Sequence, residues 1–63
     1  IDEKNRRILH LLSQGVKTKN LASHLDMSLS AVEKRKKQLR EIFEVHDGQD
    51  ETLVNVARKK GFV

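Results

Sequence analysis

The run that decides the fold is Thr18–Phe43, TKNLASHLDMSLSAVEKRKKQLREIF. Leu21, Ala22 and Leu25 lie on one side of a short helical segment, predicted over Lys19–Leu25 with Thr18 as its cap. Asp26–Met27–Ser28 then breaks the pattern and leaves no room for a long loop. Ser28 is a good cap for a third segment that reaches about Phe43 or Glu44, where Val32, Leu39 and Phe43 recur at intervals of seven and four. Two helices joined by so few residues cross steeply. A steep crossing needs a small side chain facing a branched apolar one, and Ala22 and Val32 fit that pair. Leu21, Leu25 and Met27 supply the wedge between them. Asp26 occupies the turn position where glycine is favoured, and aspartate tolerates turn conformations. This is a helix-turn-helix pattern.

Working outward, Asp2 is an N-cap for a first segment running to Ser13, with Ile8, Leu9 and Leu12 as its stripe. Gly15 suits its stop, and Val16 re-enters the core. Asp47–Gly48 signals a turn, and a last segment from about Gln49 to Lys60 carries Leu53, Val54, Val56 and Ala57. Gly61 ends it, with Phe62 placed to fold back. There is no proline and no internal repeat. The fold class expected is all-α, a four-helix domain occupying residues 1–63 and containing the helix-turn-helix.

A chain of 63 residues buries only about 60% of its unfolded surface, so its core must be economical. With no cysteine, neither a disulfide nor a Cys-based zinc site can help. No stretch approaches the roughly 20 apolar residues of a membrane span, and no signal-peptide pattern opens the sequence. No membrane partner is expected, and a cytoplasmic location is. The abrupt start at Ile1 suggests a piece of a larger protein.

Charge placement says more than the net +4. Residues 34–40 hold Lys34, Arg35, Lys36, Lys37 and Arg40, whereas residues 41–51 hold five acids and no Lys or Arg. A cation cluster on one element suits a polyanion. At about 100° per residue, Ser30, Lys34, Lys37 and Glu41 fall opposite the apolar stripe, flanked by Glu33 and Gln38. Lys34 and Lys37 could then reach guanine O6 or N7, or phosphates. Ser28 and Ser30 sit at the positive helix end, a phosphate-binding position. Glu33 could accept from a cytosine amine or pair with Lys37, and the intrahelical pair is favoured. Lys36 lies beside the stripe, its stem packed and its ammonium reaching water.

The run ILHLLSQGVKTKNLASHLDMSLSAVEKRKKQLREIFEV resembles the LuxR-type (GerE-type) DNA-binding domain found at the C-terminus of many bacterial response regulators. The likeness rests on Leu9, Leu12, Gly15, Leu21, Ala22, Leu25, Met27, Ser28, Val32, Leu39, Phe43 and Val45, and on the closing RKKGFV. It implies sequence-specific double-stranded DNA binding and transcription regulation, with the third helix in the major groove. Base contacts map to Glu33, Lys34 and Lys37, and backbone contacts to Thr18, Lys19, Ser28 and Ser30. Arg35 and Arg40 are also expected at the DNA backbone. The resemblance further implies a C-terminal output domain governed by a receiver domain in the full-length chain and acting as a homodimer on DNA. The chain departs from the family at Asn5 (usually Glu), at Arg35 (usually His), and at Lys36 and Arg40 (usually apolar). Its loop into the last helix is about two residues longer than the family's.

Catalytic chemistry is not expected. His10, His24 and His46 stand on different segments without metal-ligand spacing, the serines lack a nucleophile setting, and three scattered glycines make no phosphate loop. No enzyme, cofactor or metal is read here. Two other readings compete. One is a promoter-recognising domain like region four of bacterial sigma factors, with RNA polymerase as partner. The other is a helical protein-interaction module whose basic helix meets an acidic partner.

Overall fold

The computed structural model describes all 63 residues and contains four helices with no strand: α1 (Glu3–Ser13), α2 (Thr18–Leu25), α3 (Leu29–Ile42) and α4 (Asp50–Lys59). The protein is an all-α four-helix domain. α1 packs on all three other helices, and α2 packs closely on α3 across the connection 26–28. Twelve buried apolar side chains form one core, and every helix contributes: Ile8, Leu9 and Leu12 from α1, Leu21 and Leu25 from α2, Val32 and Leu39 from α3, Leu53, Val54 and Ala57 from α4. Phe43 and Val45 close it from the loop after α3, and Ala22 and Met27 pack against its edge.

The helix starts follow their caps. The Asp2 carboxylate accepts the Asn5 N–H at 2.8 Å, and Ser28 Oγ accepts the Ala31 N–H at 3.1 Å. α2 departs from the sequence expectation. Lys17 is its N-cap and Thr18 its first helical residue, with no side-chain cap bond. The Thr18 hydroxyl is engaged elsewhere, accepting from Lys36 Nζ at 2.6 Å. A tertiary partner has displaced a local one.

All four helices end in the same way. A residue with positive φ reverses the chain, and the next residue donates its N–H to a carbonyl five positions back. Those bonds are Val16 to Leu11, Met27 to Ala22, Val45 to Arg40, and Phe62 to Ala57, at 2.8–3.1 Å. This is the Schellman closure, and in each case the donor is apolar and folds back onto the core. Gly15 and Gly61 take the left-handed position at no steric cost, whereas Asp26 (φ 53°) and Glu44 (φ 57°) hold it with a Cβ present. Glu44→Gly should therefore stabilise the domain. Relief of the left-handed strain, less the greater freedom of the unfolded glycine, leaves a gain of about 0.5–1 kcal/mol. Thermal unfolding would show it as a midpoint raised by about 3–6 °C, and a lowered midpoint would refute it.

Candidate nucleic-acid interface

The residues expected at the bases, Glu33, Lys34 and Lys37, are brought together on α3 with Ser30, expected at the backbone. Ser30, Glu33, Lys34 and Lys37 are all exposed, while Val32 and Leu39 on the opposite side are fully buried. Neither Lys34 nor Lys37 forms an ion pair within the chain. Ser28 is exposed at the helix start, where its hydroxyl caps α3 and leaves the remaining N–H groups of the first turn open outward. Lys19 is exposed on α2. The result is a helix whose outward face carries two unpaired ammonium groups, behind an N-terminus with a positive dipole end.

Glu33 does not pair with Lys37, the partner favoured by the sequence. Its carboxylate lies 3.9 Å from Lys36 Nζ, one turn away on the other side. The reason is that Lys36 is no solvent-reaching side chain. It is buried, and its ammonium donates to Asp50 (2.9 Å to Oδ1, 3.1 Å to Oδ2) and to Thr18 Oγ1. One lysine thus ties the start of α2 to the middle of α3 and the start of α4. Thr18, half-buried, serves this junction. Every buried side-chain nitrogen and oxygen in the domain has a hydrogen-bond partner.

Arg35 is also paired, but at the surface. Its guanidinium pairs with the Asp2 carboxylate and donates to Asn5 Oδ1 at 3.2 Å. Asn5 and Arg35, two positions at which the sequence departs from the family it resembles, therefore touch each other and join α1 to α3. The Asn5 N–H and then Arg35 hold the Asp2 carboxyl below its ordinary value of 3.8. Asp47 is likewise held low by the Thr52 hydroxyl and the Gln49 N–H, which fixes the entry to α4. Arg40 is half-buried near the end of α3. Of the two arginines assigned to the DNA backbone by sequence, Arg35 is held by Asp2 at the surface beside Lys34, and Arg40 is partly covered.

The junctions Lys36–Asp50–Thr18 and Asp2–Arg35–Asn5 were not read from the sequence. Each joins residues at least 14 positions apart, so no local spacing marks it. The only available signal was a lysine beside an apolar stripe. No cluster of His, Cys, Asp and Glu is arranged to hold a metal ion, and no helix is long and apolar enough to cross a membrane. Comparison with family models, curated proteins and solved structures finds no match to this chain.

Proposed function

We propose that this domain binds double-stranded DNA with sequence preference, laying α3 in the major groove. The observation that carries the reading is the outward face of α3. Ser30, Lys34 and Lys37 are exposed there together, unpaired, on a helix held from behind by a three-residue turn and a buried crossing. An α-helix of this kind fits the major groove, and lysines one turn apart can meet adjacent base edges or phosphates. Lys19 on α2 and the N–H groups at the start of α3 are suited to the phosphate backbone. On the resemblance to LuxR-type domains, the chain is the output part of a response regulator that acts in pairs on adjacent half-sites.

Titrating the protein with short duplexes across a salt series tests this. The log of the affinity should fall linearly with the log of salt, with a slope of about −0.9 per phosphate neutralised. Lys34→Ala and Lys37→Ala should each weaken a selected duplex by about five- to a hundredfold and random duplex much less. Lys19→Ala should weaken both alike. If no duplex binds at salt on the order of 50 mM, where backbone electrostatics are strongest, the proposal falls. Equal effects for all three lysines would place the wrong face in the groove.

A further inference from the structure

Lys34 shares a surface groove with the ion pair beside it. The groove, of about 410 Å³, runs along the flank of α3, with Met27 and Ala31 as its apolar part and Lys34, Arg35, Gln38 and Asp2 around them. Two cations and an amide thus share it with one carboxylate. Both oxygens of that carboxylate are engaged: Oδ1 accepts the Asn5 N–H at 2.8 Å, and Oδ2 accepts from Arg35 Nη1. The same Nη1 donates to Oδ1 of the buried Asn5 at 3.2 Å. Arg35 spends only that one nitrogen, and its Nε and Nη2 groups donate to nothing within the chain. Water still reaches the pair, since the Asp2 side chain is 57% exposed and that of Arg35 30%.

An α-helix with its side chains is about 10–12 Å across and the major groove about 12 Å wide, so a seated helix lays its flanks against the phosphate strands. Arg35 stands about 100° round α3 from Lys34, on such a flank. Building on the DNA reading above, we infer that Asp2 is an internal stand-in for a DNA phosphate, holding Arg35 beside Lys34 and withholding its charge from the duplex. A phosphate entering the groove meets Lys34 and the free donors of Arg35, but also the Asp2 carboxylate, which repels it. Phosphates carry no sequence, so Asp2 sets the strength and salt dependence of binding and not the choice of site. The fold has little stake in the pair. Exposed ion pairs stabilise weakly, and asparagine or serine can supply the same helix cap.

Asp2→Asn and Asp2→Ser test this, with circular dichroism to verify that each keeps the fold. Both should bind a random-sequence duplex about three- to tenfold more tightly than wild type at salt on the order of 100 mM. A selected duplex should gain by the same factor. The freed arginine displaces one more counterion, so the slope of log affinity against log salt should steepen by about 0.9. Glu3→Gln removes the same charge from the next position, but Glu3 pairs with no cation, so its affinity and slope should stay near wild type. In an Arg35→Gln background, Asp2→Asn should leave the slope unchanged. If wild type binds duplex and the Asp2 variants neither tighten binding nor steepen the slope, the inference falls and the DNA reading stands. The inference also falls if Glu3→Gln matches them, or if the slope steepens as much without Arg35, because net charge would then be the cause. If neither wild type nor any variant binds duplex, both readings fall together.

Discussion

Val32→Asp should leave the domain largely unfolded. Val32 is fully buried where α3 crosses α2, in the core that every helix shares. An unpaired carboxylate there costs several kcal/mol even after local relaxation, and the lost valine burial adds about 1.5–3 kcal/mol. A chain of this length has a total stability of about 3–9 kcal/mol, so the substitution consumes most or all of it. Helical circular dichroism should collapse, and the cooperative thermal transition should disappear. Val32→Ala, which leaves a cavity but no charge, should cost about 2 kcal/mol and keep a transition. Ser30→Asp puts the same acid two positions earlier, on the exposed face near the positive end of the helix, and should fold normally. If Val32→Asp melts like wild type, the α2–α3 crossing is not where the core depends on it.

Asp50→Ala and Lys36→Met should act in opposite ways on one junction. Removing Asp50 leaves a buried ammonium with the Thr18 hydroxyl at 2.6 Å and only the more distant, exposed Glu33 carboxylate at 3.9 Å. Breaking a fully enclosed pair costs about 3–5 kcal/mol, but the Asp50 side chain is 43% exposed, so water can replace part of the loss. A destabilisation of about 1–3 kcal/mol is expected, read from chemical denaturation. Lys36→Met removes the charge itself and fills the same volume with apolar atoms. Replacing a buried ion pair in this way is often neutral or stabilising, so Lys36→Met should be at least as stable as wild type. The double variant should restore most of what Asp50→Ala loses, because no charge is left unpaired. Equal losses for the two single variants would mean that Lys36 contributes through its hydrogen bonds and not merely by tolerating its charge.

Much of the frame was legible along the chain because its causes are local. The stripe of Ile8, Leu9 and Leu12, the caps Asp2 and Ser28, and the glycines 15 and 61 act within one or two helical turns. The left-handed Glu44 is not legible along the chain, because a glutamate carries no left-handed signature; only the closure of Val45 onto Arg40 places it there. The candidate interface was legible in part. Helical periodicity alone puts Ser30, Lys34 and Lys37 on the face opposite Val32 and Leu39. The fates of Lys36, Arg35 and Glu33 were not readable in the same way. A long charged side chain can reach several partners, and which one it meets depends on the helices that pack beside it.

The stretch Thr18–Phe43 therefore determined by itself that two helices meet across a tight turn, and which residues lie at their crossing. Its basic run was another matter. Sequence spacing separates Lys34 and Lys37 from the apolar stripe, but only the packing of α1 and α4 pairs Arg35 with Asp2 at the surface and buries Lys36 against Asp50. Periodicity is a property of one helix, repeated every turn. Ion pairing is a property of distance between helices, and distance is set only when the core closes.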